Sequence, residues 1–178
     1  MASSKRSTAR ASSSGSTSRA RTTTSTSSRT KSTSSLSTVV ISLGSNLGDR
    51  EYNLARAVHA LRKIVRIVRV SSVHETDAVD APEGSPRFLN QVLVGFTTMR
   101  PEALLEELLA IEKRLGRVRR GVRNEARVID LDLILYGATR MRTKSLTLPH
   151  PRAREREFVM APLAEVFSAC PWSHPPRR

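Results

Sequence analysis

Apolar positions recur along this chain with two periods, one of about two residues and one near 3.6, and the two alternate. Residues 39–43 form a short β-branched run that ends at Gly44-Ser45-Asn46-Leu47-Gly48-Asp49, which reads as a strand feeding a turn. Leu54, Val58, Leu61 and Val65 then fall at helical spacing, with Asp49 placed to cap the helix. Residues 67–73 read as a second strand, with Ile67, Arg69, Ser71 and Val73 on one face and Val68, Val70 and Ser72 on the other. Residues 76–87 have no period and contain two prolines and a glycine, so they read as a long loop. A third strand follows over 88–98. Met99-Arg100-Pro101-Glu102 opens a second helix, since proline suits a first turn and an acid suits the positive end of the dipole. Leu104, Leu108, Ile111 and Leu115 form its apolar stripe, and Gly116 ends it.

After an arginine-rich loop at 117–127 comes the run Val128-Ile129-Asp130-Leu131-Asp132-Leu133-Ile134-Leu135-Tyr136-Gly137. It is short, apolar and closed by glycine, so it reads as a strand. Strict alternation puts Asp130, Asp132, Ile134 and Tyr136 on one face and Ile129, Leu131, Leu133 and Leu135 on the other. Residues 155–166 read as a third, short helix with Pro162 in or near a kink, and 171–178 as an unstructured tail. The order strand, helix, strand, strand, helix, strand is the split βαβ (βαββαβ), ferredoxin-like arrangement of the α+β class, with helices on one face of an antiparallel sheet. The other face then falls to the loops and the final segment.

Composition separates the start of the chain from the rest. Residues 1–38 hold 24 Ser or Thr, 7 Lys or Arg and no acid, too little apolar material to offset the entropy of ordering them, and read as a disordered arm. Of the net charge of +14, residues 39–178 keep +7, so the predicted domain, 39–170, is basic in its own right. A basic domain points to a polyanionic partner, a phosphorylated small molecule or a nucleic acid. Aromatic content of 4 % leaves little for base stacking, and an acid pair on a sheet would repel a phosphate backbone. No apolar run is long enough to span a membrane. One cysteine, Cys170, fits a reducing, cytoplasmic setting, while a basic Ser-rich arm is also the composition of an organelle transit peptide.

Two like charges two residues apart on a half-buried strand stay ionised only with positive charge opposite them. Arg117, Arg119, Arg120, Arg123 and Arg127 offer that charge, and so does a divalent cation such as Mg²⁺ that takes one or two carboxylates together with phosphate oxygens. Arg119, Arg123 and Arg127 recur every four residues, but their surroundings favour a loop. Phe88 and Asn90 point the same way on their strand, an aromatic face beside an amide that can donate and accept, as recognition of a flat heterocycle requires. His150 lies between two prolines, which restrict its backbone. The two glycines of 44–49 suggest an anion cradle, but the Lys-Ser/Thr pair of a P-loop and a third glycine are missing, so a tight turn is expected there.

Leu-Gly-Ser-Asn-Leu-Gly-Asp at 43–49, Phe-Leu-Asn at 88–90, Gly-Arg-Val-Arg at 116–119, Asp-Leu-Asp-Leu-Ile-Leu-Tyr-Gly at 130–137 and Leu-Thr-Leu-Pro-His-Pro at 146–151 together resemble the 6-hydroxymethyl-7,8-dihydropterin pyrophosphokinases of folate biosynthesis. Five motifs in order and at the right spacing are far more specific than any one of them. The resemblance runs from Val39 to about Phe167. It implies transfer of a diphosphoryl group from ATP to the pterin hydroxymethyl oxygen, by a monomer with no nucleic-acid partner. It implies two Mg²⁺ ions at positions matching Asp130 and Asp132. The pterin would lie between Phe88 and Phe158, with polar contacts from Asn90 and Thr76. Arg117, Arg119 and Arg127 would act on the transferring group, and Glu112, Arg123, Thr147, His150 and Arg156 would serve the nucleotide. The chain also departs from the family. Arg-Trp-Gly-Pro-Arg is common where this chain has Arg123-Asn124-Glu125-Ala126-Arg127, glutamine is frequent where Leu109 stands, and some members carry arginine at Ser145.

Overall fold

The computed structural model describes residues 35–79, 84–118 and 126–168. Most of the arm, the tail, Cys170, Arg119, Arg120, Arg123, Asn124 and Glu125 lie outside the described residues. Ser37 and Thr38, assigned to the arm by composition, belong to the first strand.

Strand β1 (Ser37–Ser45) is central, between β4 (Phe88–Thr97) and β5 (Asp130–Tyr136). Beyond β4 lies β2 (Arg66–Val70), and β3 (His74–Thr76) pairs with the start of β4, every pairing being antiparallel. A two-stranded ribbon, β6 (Met141–Arg142) with β7 (Thr147–Leu148), stands apart from this sheet. Helix α1 (Arg50–Leu61) is capped by Asp49, whose carboxylate accepts from the Tyr52 amide at 3.0 Å. Helix α2 (Pro101–Arg114) has proline in its first turn and is followed by Gly116 at φ 100°, a conformation that suits a residue without Cβ. Among the described residues no helix is long and apolar enough to cross a membrane.

The two sheet faces are covered unequally. Val39, Ile41 and Leu43 of β1 and Leu131 and Leu133 of β5 pack under Leu54, Ala57 and Leu61 of α1 and Leu104, Leu108 and Ile111 of α2 in one large core. On the opposite face Val40, Val92 and Ile134 meet Val159 and Val166 of α3 (Glu157–Ser168), which follows a 3₁₀ turn at Ala153–Glu155 and contains Pro162. The third helix thus covers only the Val40 end. The strand positions nearer the β1–α1 turn remain uncovered by it.

Alternation along two strands is broken by bulges. Val40 faces Leu135 while Ile41 faces Leu133, so Ile134 is an extra residue. Ile134 and Leu135 both pack on the α3 side, and Tyr136 turns to the helix side, where its hydroxyl donates to the Met99 carbonyl at 2.6 Å. Strict alternation places Tyr136 with the acids, and the bulge reverses that. Similarly, Ile67 faces Gly95 and Arg69 faces Val94, so Ile67 and Val70 share the helix-side core while Val68 is 52 % exposed. The expected face shared by Ile67 and Arg69 does not form. At this edge Gly95 has a steric role: a Cβ there would lie 2.5 Å from Val65 Cγ1 and 2.7 Å from the Arg66 carbonyl oxygen. Gly95→Ala should therefore destabilise the chain by about 2 kcal/mol, through forced separation of β2 from β4. Denaturant titration of the two chains measures this, and an unchanged midpoint would refute the packing argument.

Candidate active site

The uncovered half of the sheet face is the floor of a pocket. Ser42 and Gly44 come from β1, Phe88 and Asn90 from β4, and Asp130 and Asp132 from β5, with Thr76, Asp77, Val79, Arg127, Arg152, Arg156 and Phe158 around them. Register explains the grouping: Gly44 pairs with Asn90 on one side and Asp130 on the other, and Ser42 pairs with Val92 and Asp132. Gly44 is a strand residue and not part of the turn, which begins after Ser45. A Cβ at Gly44 would lie 3.1 Å from Asn90 Oδ1 and 3.6 Å from Phe88 Cδ1, so its missing side chain gives the pocket its depth. The turn glycine is Gly48, at φ 69°.

One end of the pocket is aromatic and amide. Phe88 and Phe158 both line it, and the guanidinium carbons of Arg127 and Arg156 stand 5.6 Å and 5.4 Å from the respective ring centroids, within cation–π range. Asn90 is buried, and its Nδ2 donates to Thr76 Oγ1 at 2.9 Å, which leaves Oδ1 as the acceptor beside Gly44.

The other end is charged. Arg127 Nη1 donates to Asp130 Oδ2 at 2.6 Å, and Arg156 Nη1 to Asp132 Oδ2 at 3.2 Å. Arg117 Nη1 donates both to Asp130 Oδ1 and to Glu112 Oε1. Glu112, 2 % exposed, also accepts from the Leu131 amide at 2.8 Å, between the two acids in sequence. Burial alone would lower the Arg117 guanidinium, but Asp130 and Glu112 outweigh it and hold it above its ordinary value. Burial and then the neighbouring Asp130 push the Asp132 carboxyl up, opposed by His150 and Arg156. Burial lowers the His150 imidazole, with Asp132 opposing and Arg156 and Arg152 adding to the effect. Its buried Nδ1 has no hydrogen-bond partner among the described residues. His150 follows a cis Leu148-Pro149 bond, and its amide donates to the Ile134 carbonyl at 2.9 Å.

Eight of the residues singled out by sequence line one pocket: Thr76, Phe88, Asn90, Arg127, Asp130, Asp132, Arg156 and Phe158. Arg117 reaches it through Asp130, and Glu112 is linked to it through Arg117 and the β5 backbone. Thr147 lies on β7 and is not among the lining residues. Ser42, Gly44, Asp77, Val79 and Arg152 line the pocket although sequence patterns do not single them out for it. Ser42 and Gly44 become legible only once the pairing of β1 with β5 is known. Among the described residues no group of three or more His, Cys, Asp or Glu side chains gathers as a metal cage.

Comparison with known proteins gives the family. The sequence model of 7,8-dihydro-6-hydroxymethylpterin-pyrophosphokinase (HPPK) matches residues 40–168. The chain is 45 % identical over 128 residues to the 2-amino-4-hydroxy-6-hydroxymethyldihydropteridine pyrophosphokinase of Bacillus subtilis, covering 71 % of this chain and 75 % of that one. It is 44 % identical over 130 residues to a mitochondrial folate synthesis bifunctional protein of Pisum sativum, covering 72 % of this chain but only 25 % of the relative, so it spans about a quarter of that protein's length. Its fold is similar to that of a triple mutant of Plasmodium falciparum HPPK-DHPS, with a TM-score of 0.58 and 13 % identity over 74 % of this chain and 40 % of that one. The acid pair, the arginines and the aromatic walls lie within the matched residues, and the chain belongs to the HPPK family.

Proposed function

We propose that the chain transfers the diphosphoryl group of ATP to the hydroxymethyl oxygen of 6-hydroxymethyl-7,8-dihydropterin, releasing AMP. One observation carries this reading: a single pocket joins two phenylalanine walls and an amide to an acid pair ringed by arginines. A flat, polar heterocycle suits the first part and a polyphosphate the second. The strand order β2-β4-β1-β5, with α1 and α2 on one face, supports placing the domain in the ferredoxin-like class.

Asp130 and Asp132 fit Mg²⁺. They are two hard oxygen donors on one strand face, too few for a dedicated protein cage but suited to an ion that keeps waters and takes phosphate oxygens. When bound, the metal supplies positive charge to the phosphate oxygens. Everything else falls to the chain. Phe88 and Phe158 hold the ring by its faces, Asn90 Oδ1 accepts from its edge, and Thr76 keeps that amide in place. Arg117, Arg127 and Arg156 present forked donors that cannot lose their charge, Glu112 holds Arg117 from behind, and His150 stands beside Asp132 and Arg156. In the same proposal Arg119 acts on the transferring group with Arg117 and Arg127, and Arg123 and Thr147 serve the nucleotide. The nucleophile is a primary alcohol, and the rate would come from alignment and charge stabilisation.

Purified chain given ATP, Mg²⁺ and the pterin should form AMP and pterin diphosphate, and AMP no higher than in a pterin-free blank would remove the reading. Asp130→Asn and Asp132→Asn should each lower kcat by about a hundredfold or more in chains whose circular-dichroism spectra show them folded. Turnover near wild type in either variant would show that its carboxylate charge is dispensable. Gly44→Ala should raise KM for the pterin and leave KM for ATP unchanged in steady-state assays, because the new methyl meets Asn90 and Phe88.

A further inference from the structure

A second polar cluster lies where α3 passes the sheet edge. Glu165 Oε1 accepts from the Ser72 amide at 2.7 Å, and Glu165 Oε2 accepts from Ser72 Oγ at 2.7 Å and meets His74 Nε2 at 2.9 Å. Ser72 Oγ and His74 Nε2 are 3.3 Å apart. The His74 contact first, then the Ser72 amide and hydroxyl, hold the Glu165 carboxyl down at about 2, so it is ionised near neutral pH. The side chains are 42 % exposed for Glu165 and 30 % for His74, and exposed ion pairs contribute little to stability. Three contacts on one carboxylate, one of them from the main chain, still fix geometry.

That geometry bears on the pocket. Glu165 and Phe158 are seven residues apart on α3, which places them on one stripe of the helix about 10 Å apart along its axis. His74 and Thr76 are two apart on β3 and share a face, and Thr76 pairs in register with Phe88 and accepts from Asn90. The cluster therefore ties the helix that carries one aromatic wall to the strand that braces the other. Apolar packing of Val159 and Val166 on Val92 of β4 is the other tie, and it is small. The α3-side core has 6 buried residues against 18 on the helix side. Pro162 lacks the N–H that would bond the Phe158 carbonyl within the helix. Among the described residues two further polar ties reach the helix, Arg156 Nη1 to Asp132 Oδ2 at 3.2 Å just before its start and Arg69 Nη1 to the Val166 carbonyl, long at 3.4 Å, near its end.

We propose that Glu165, Ser72 and His74 form a clamp that sets the spacing between Phe88 and Phe158, so that Glu165 is a positioning residue for the heterocycle. The clamp rests on the pocket being a pterin site. Glu165→Ala in the full chain should raise both the Kd for 6-hydroxymethyl-7,8-dihydropterin, measured by fluorescence titration in the presence of Mg²⁺ and a non-hydrolysable ATP analogue, and its KM by about tenfold. KM for ATP and kcat should stay within about twofold of wild type. Glu165→Gln, which keeps an acceptor for the Ser72 amide, should recover most of the affinity, and Ser72→Ala should fall between. Unchanged pterin affinity in Glu165→Ala, or equal weakening of both substrates, would overturn the clamp while leaving the pterin site intact. A wild-type chain that binds no pterin would overturn both.

Discussion

The charge balance around Asp130 and Asp132 is the constraint on which the rest of this chain depends. Two carboxylates on one strand face repel and lose hydration, and three elements are arranged to offset that. The turn after α2 delivers Arg117, held by Glu112 of that helix, the segment before β5 delivers Arg127, and the segment leading into α3 delivers Arg156. Because Glu112 also bonds the Leu131 amide, the helix is fixed to the strand at the point where the acids stand. Local charge and global packing are therefore the same contacts. On the proposed function, a polyphosphate that meets Arg117, Arg127 and Arg156 takes arginines that already serve the acids, and its binding there is an exchange of partners.

The unequal covering of the sheet follows the same logic. A face closed along its whole length would be more stable, but it could not admit a ligand to the acid pair. Two helices bury the helix-side face, and α3 covers only the end of the other face that Val40, Val92 and Ile134 mark. The bulge at Ile134 lets this division work. It sends two consecutive apolar residues to the α3 side and returns Tyr136 to the main core, where its hydroxyl bonds the Met99 carbonyl at the entry to α2.

Much of this is legible in the sequence because local rules are enough. Asp49 caps as its type and place require, Leu104, Leu108 and Ile111 bury as their spacing requires, and Phe88 and Asn90 share the face that alternation gives them. Three of the five short motifs hold Gly44, Phe88, Asn90, Asp130 and Asp132, the floor of the pocket apart from Ser42. The failures lie where information comes from another strand. No property of Ile134 or Val68 announces an extra residue; the partner strand decides it. Gly44 reads as turn material until Asn90 and Asp130 are seen on either side of it. Ser37 and Thr38 look like the arm before them, yet they pair with Thr97 and Phe96.

Asn46 holds Arg127 by both backbone groups. Its Oδ1 accepts from the Arg127 amide at 2.7 Å, and its own amide donates to the Arg127 carbonyl at 3.1 Å. The guanidinium therefore moves about a fixed pivot. On the proposed function, a change of partner for Arg127 from Asp130 to an anion is a rearrangement of its side chain and leaves its backbone in place. The β1–α1 turn supplies no lining residue to the pocket, yet through Asn46 it fixes the backbone from which Arg127 reaches into it.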